Sequence, residues 1–309
     1  MEDSSQLKKP SFRARIFTRM VRLVVKRWPR KDYSAIVRHA RRVFGLPVWL
    51  TFLISRGVTF REQQDLDVRG EWVVPEANHY EDKVLLYLHG GGYVSCTPQT
   101  HRPITSALAR LSYRRIFALD YRVAPEDPFP AAGDDAERAF IWLLELGLKP
   151  QDIALAGDSA GGGLVLSVML RLKARWQPLP ACAVCIAPWV DLTGSATYSN
   201  AESCAMFCAD DVCRFSNLYL NGASARLPEA SPIFGDLRGL PPLLIQVSDT
   251  ELLYDEAVLL HQKAQKSGVQ STLRAYNGLP HVWHMFSVLL PEASQALREA
   301  AAFIVEKTK

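Results

Sequence analysis

The sequence predicts an α/β protein with a mainly parallel central sheet flanked by helices and a helical cap over it. Three observations carry this expectation. Beyond about Gly57, apolar strand-like runs alternate with segments of helical spacing, the pattern of strands joined by crossover helices. Two stretches, residues 1–56 and about 194–230, break that alternation and are candidates for helices lying across the sheet. The chain also has 309 residues, 48% of them hydrophobic and 22% charged, enough to bury one large core.

At the N-terminus, Phe12, Ile16, Met20 and Val24 recur at helical spacing among Arg13, Arg15, Arg19, Arg22 and Lys26. The formal net charge of +4 is concentrated here: thirteen Lys or Arg lie between Lys8 and Arg42 against one acid, Asp32, and the rest of the chain is net acidic. The simpler expectation is a helix packed on its own protein with the basic residues facing water. Peripheral contact with an anionic membrane is the alternative. With a net acidic core and no recognition motif, no nucleic-acid partner is expected. Charges interrupt the short apolar run in "RMVRLVVKRWPRK" and no small-residue cleavage site follows, unlike a signal peptide. Nor does any stretch supply the roughly eighteen apolar residues that span a bilayer. A cytoplasmic protein is expected.

Next come "GVTFREQQ" and "DVRGEWVVP", an opening hairpin or edge pair. Core strands are expected at "KVLLYLHG", "RRIFALDYR", "DIALAGD", "ACAVCIAPW", "PPLLIQVS" and "STLRAY". Helices are expected at "AAGDDAERAFIWLLELG", "GGLVLSVMLRLKARW" and "LLYDEAVLLHQKAQKSG", with a last helix closing the chain. Six cysteines in a chain of this length do not make a disulfide framework; Cys182 and Cys185 sit in an apolar run as small buried residues. The irregular spacing of Cys204, Cys208 and Cys213, with no nearby histidine, argues against zinc.

Chemistry enters at "DIALAGDSAGGGLVL". Gly157 and Gly161 flank Ser159 two residues away on either side, as a nucleophile on a strained strand-to-helix turn requires. The phosphate-loop pattern that a glycine-rich turn otherwise suggests is absent. Upstream, His89, Gly90, Gly91 and Gly92 follow an apolar strand, and successive glycines let backbone N–H groups approach a tetrahedral oxyanion. A serine nucleophile needs a base and the base needs an acid. His281 follows the strand "STLRAY"; its neighbour His284 is expected to lie in the last helix. His39, His79, His101 and His261 suit surface or packing roles. Asp249, Glu251 and Asp255 follow "PPLLIQVS", and the order serine, acid, histidine is that of an α/β hydrolase. Order alone leaves the carboxylate open between Asp249 and Glu251, since Asp255 falls inside the helix.

With "HGGGYV", "DYRVAPEDPFPAA", "GDSAGG", "APWVDLT", "LPPLLIQVSDTELLYDE" and "LPHVW" in this sequential order, the chain from about residue 60 to 309 resembles the bacterial hormone-sensitive lipase family of esterases. The resemblance implies carboxylic ester hydrolysis on short or medium acyl chains, without metal or cofactor. It also implies a cap built from residues 1–56 and an insertion at about 194–230. By position, Ser159 matches the nucleophile and His281 the base, while Gly91, Gly92 and the Ala160 N–H match the oxyanion hole. His89 and Gly90 shape that loop. Glu251 aligns with the triad acid, with Asp249 as runner-up. Tyr93, Trp189, Met206, Phe207 and Trp283 flank these motifs or lie in the expected cap, which makes them candidates for the wall of a pocket taking a small ester. The alternatives are a peptidase of the same superfamily, which commonly carries a further large domain, and a non-catalytic small-molecule receptor, which would not need the serine, histidine and glycines together.

Overall fold

A computed structural model describes residues 9–25, 33–44, 56–64, 67–77, 80–195 and 198–308. His79 and much of the expected 1–56 segment lie outside them. After helices α1 (Phe12–Val25) and α2 (Tyr33–Phe44), the antiparallel hairpin β1 (Val58–Gln64) and β2 (Arg69–Pro75) opens the sheet. There follow β3 (Tyr80–Leu88), α3 (Arg102–Ser112), β4 (Arg114–Leu119), α4 (Ala131–Glu145), β5 (Ile153–Asp158), α5 (Ala160–Ala174) and β6 (Cys182–Ile186). The chain then runs through α6 (Ala209–Leu220), β7 (Leu243–Ser248), α7 (Tyr254–Lys266), β8 (Ser271–Tyr276) and α8 (Pro291–Lys307).

The eight strands are ordered β1-β2-β4-β3-β5-β6-β7-β8, and from β4 to β8 every neighbouring pair is parallel. Helices cover both faces, so the central strands are apolar on both sides and read as continuous hydrophobic runs. Alternation sorts them: on β3, Leu86 and Leu88 pack with α4, α5 and α7, while Leu85 and Tyr87 pack with α3 and α8. Helix α3 has no counterpart among the helices expected from sequence. It spans only eleven residues with three large apolar side chains, Ile104, Leu108 and Leu111, so no long apolar run marks it, although Ile104, Ala107 and Leu108 form a buried face. The six cysteines are free thiols, with Cys182 and Cys185 buried.

The N-terminal helices sit at the carboxyl ends of the strands. Helix α1 places Phe17 4.5 Å from Phe286 and donates from Thr18 Oγ1 to the Gly278 carbonyl, while Arg41 of α2 donates to the Val94 carbonyl at 3.1 Å. The packed face of α1 is not the expected one. Ala14 is buried and Phe17 half-buried, whereas Phe12, Ile16, Met20 and Val24 are exposed. Small Ala14 lets the helix axis approach the Leu279, Trp283 and Leu290 cluster, and that contact sets the rotation. Among the described residues, no helix is long and apolar enough to cross a membrane.

Candidate active site

Strand β5 ends at Asp158 and helix α5 begins at Ala160, so the turn between them is Ser159 alone. Its backbone lies at φ 53°, ψ −122°, a conformation that an L residue adopts only under constraint from its surroundings. The constraint is close packing beneath the turn. A Cβ on Gly161 would stand 2.0 Å from the Leu88 carbonyl oxygen, and one on Gly157 would stand 2.4 Å from the Gly161 oxygen. Backbone bonds from Ser159 N to Ile186 O (2.8 Å) and from Trp189 N to Ser159 O (2.9 Å) tie the turn to the end of β6.

Ser159 Oγ lies 2.9 Å from His281 Nε2, and His281 Nδ1 lies 2.5 Å from Glu251 Oε2. The other carboxylate oxygen of Glu251 accepts the Ser248 N–H at 2.8 Å. With a carboxylate facing it, Nδ1 is the protonated ring nitrogen, so Nε2 is left to accept from the serine hydroxyl. Asp249, two residues earlier, turns its carboxylate to the Gly278 N–H at 2.8 Å and joins the end of β7 to the turn after β8. His284 is not in the last helix, which begins only at Pro291. It sits in a 3-10 turn (Trp283–Phe286), fully buried, and burial pushes its imidazole down to about 3.

The loop after β3 has three successive peptides held in place. The His89 carbonyl accepts from Tyr121 Oη at 2.6 Å, and across the same peptide the Gly90 N–H donates to Asp158 Oδ1 at 3.0 Å. His89 Nδ1 donates to the Gly90 carbonyl at 2.8 Å. The Gly91 carbonyl accepts from Ser95 Oγ (2.8 Å) and from the Val94 and Ser95 N–H groups. In a trans peptide the N–H points opposite to the C=O. Clamping the Gly90 and Gly91 carbonyls therefore directs the N–H groups of Gly91 and Gly92 the other way, and both residues line the cavity above Ser159. Gly91 and Gly92 need φ of +115° and +63° to make this turn. Ala160 is the first residue of α5, so its N–H has no acceptor within the helix.

Burial and the proximity of His101 push the His89 imidazole down to about 3, so His89 is a neutral clamp. Asp158 is held below the usual carboxylate range despite complete burial, by His101 at 3.3 Å and by the hydroxyl of Tyr87 at 2.6 Å. Sequence reasoning missed Asp158, Tyr121 and Ser95. Ser95 lies only three residues beyond the glycine run, but the others are joined to the loop across the fold.

The cavity has a volume of about 150 Å³. Trp189, Met206 and Phe207 line it, joined by Phe215, Met285 and Phe286, which the sequence did not single out. Phe207 stands edge-on to His281, with ring centroids 5.4 Å apart. Two expected wall residues lie elsewhere. Tyr93 is buried and stacks on Tyr219 at 3.9 Å, and Trp283 is fully buried against Tyr276 and His284. Both aromatic rings are large enough to be taken up by neighbouring core clusters. His101, expected to pack or to face solvent, is buried in the cavity wall.

A serine carried on the turn between a parallel strand and a helix, below a glycine loop, defines the α/β-hydrolase class of architecture. A family model described as alpha/beta hydrolase fold matches residues 85–285. Over 237 residues the chain is 45% identical to an acetyl-hydrolase of Streptomyces hygroscopicus, covering 76% of this chain and 78% of that one. It is 33% identical to an esterase of Acinetobacter venetianus over 239 residues, covering 76% of this chain and 78% of that one. A solved esterase of the bacterial hormone-sensitive lipase family superposes with a TM-score of 0.88 at 36% identity, covering 97% of this chain and 99% of that chain. The chain belongs to this alpha/beta hydrolase family, among the bacterial hormone-sensitive lipase esterases, and is by class a carboxylesterase.

Proposed function

We propose that the protein hydrolyses short-chain carboxylic esters through an acyl-enzyme on Ser159. The observation that carries this reading is the continuous chain Ser159 Oγ, His281, Glu251, with contacts of 2.9 and 2.5 Å, at the wall of an apolar cavity. Ser159 Oγ attacks the ester carbonyl as His281 Nε2 takes its proton, and Glu251 holds and stabilises the imidazolium. The Gly91, Gly92 and Ala160 N–H groups receive the oxyanion, each such donor contributing about 2.7–4 kcal/mol to the barrier reduction. His281 then protonates the departing alkoxide as its C–O bond breaks. In the second half, water gives a proton to His281 and attacks the acyl carbonyl; the acid leaves and the proton returns to Ser159. Met206, Phe207 and Phe215, all in the segment after β6, roof the serine, and together with α1 and α2 they form its cap.

A cavity of this volume holds about six carbons. That supports acetyl to hexanoyl groups as the preferred acyl chains. The test is hydrolysis of a graded series of nitrophenyl esters by the wild type and by Ser159→Ala. The proposal expects kcat/KM to peak at or below six acyl carbons and Ser159→Ala to lose at least about a thousandfold. A maximum at long chains would refute the acyl assignment, and full activity of Ser159→Ala the mechanism.

A further inference from the structure

Helix α1 carries an apolar face that is exposed among the described residues. Phe12, Ile16, Met20, Leu23 and Val24 are between 44% and 73% exposed, while Ala14, Phe17, Thr18 and Val21 turn toward the protein. At about 100° per residue the five exposed side chains fill an arc of roughly 120°. Arg15 and Arg19 border one edge of this arc, Arg13 stands within it, and the helix contains no acid. Alongside lies the turn whose Phe286 contacts Phe17, and just beyond it Val288 and Leu289 are also exposed. These two segments hold seven of the fifteen large apolar side chains that are exposed among the described residues, so the exposure is a patch rather than scatter.

We propose that this patch docks the protein on an anionic phospholipid surface. An apolar arc flanked by arginines, on a helix without acids, is the pattern of a helix lying in the plane of a membrane interface. A second copy of the chain fits less well, because a two-fold contact sets the same arginines against one another. The patch also has a position that bears on the cavity: Phe17 of α1 packs on Phe286, and Phe286 lines the cavity wall. On its other side, Arg22 is hydrogen-bonded to the carbonyls of Glu202 and Ser203, a few residues before Met206 and Phe207. A membrane held by α1 therefore lies beside the cavity, where esters partitioned into lipid are concentrated. Docking itself does not depend on the ester-hydrolase reading.

The experiment is flotation of the full chain with phosphatidylcholine vesicles, with and without phosphatidylglycerol, at low and high salt. Each arginine at an anionic surface strengthens binding about fivefold. Binding that needs phosphatidylglycerol, weakens with salt and falls about tenfold or more in both Met20→Asp/Leu23→Asp and Arg15→Glu/Arg19→Glu supports the proposal. Melting curves and hydrolysis of a soluble nitrophenyl ester should stay near wild type in both variants, and if the apolar pair misfolds the arginine pair alone decides. No flotation of the wild type, or flotation unchanged in the variants, overturns it. So does a wild-type dimer in sedimentation that Leu23→Asp turns into a monomer, since a second copy would then cover the face.

Discussion

Glu251 and Asp249 stand two residues apart after β7, yet their carboxylates face different partners. Glu251 meets His281 Nδ1 and the Ser248 N–H, whereas Asp249 meets the Gly278 N–H. Glu251→Gln should leave the fold intact and lower kcat by about 10³- to 10⁴-fold, because the amide no longer selects the productive imidazole tautomer. Asp249→Asn should keep kcat within about threefold and lower the melting temperature by a few degrees, as a charge-assisted bond becomes a neutral one. Steady-state kinetics and melting curves on the two variants separate the roles; the reverse pattern would make Asp249 the triad acid. The sequence held both carboxylates as candidates, since strand order cannot tell which side chain turns toward the histidine.

The first turn of α7 is joined to the segment after β6 by the carboxyl groups of Asp255, which meets Ser199, and of Glu256. Glu256 Oε2 accepts the N–H groups of both Val190 and Asp191 at 3.0 Å, steadying the stretch that carries Trp189 into the cavity wall. Complete burial pushes Glu256 up to about 8 against the lowering effect of those two bonds. Between its ordinary value of 4.5 and about 8 the unfolded chain has released this proton while the folded chain keeps it. Stability therefore falls as pH rises through that window, by up to about 1.4 kcal/mol per pH unit from this group, and no further above it. In Glu256→Gln the amide oxygen still accepts both N–H groups and nothing titrates. The melting temperature of the variant relative to wild type should rise from pH 5 to pH 8, and parallel curves would contradict the assignment. Other features of the elements were less visible in sequence. Helix α3 is short and holds few large apolar side chains, and the rotation of α1 is decided by Ala14 meeting a cluster from the far end of the chain.

Across the whole molecule, what the sequence made legible is what a short segment decides by itself. The parallel core strands are long apolar runs, and the glycines around Ser159 mark places where the backbone must pass within contact of another strand. What it did not make legible depends on partners brought together by the fold. Asp158 holds the Gly90 N–H across 68 positions, and Tyr121 holds the His89 carbonyl across 32. Tyr93 and Trp283 flank the motifs in sequence but are drawn into core clusters, while Phe286 reaches the cavity from beside Trp283. From the assembled site, acylation is predicted on Ser159 alone. Intact-mass and peptide mapping after reaction with a fluorophosphonate tests it most directly. One adduct per chain is expected, located on Ser159, absent in Ser159→Ala and rising in step with loss of esterase activity. An adduct on another residue, or undiminished ester hydrolysis after Ser159 is fully modified, would contradict it.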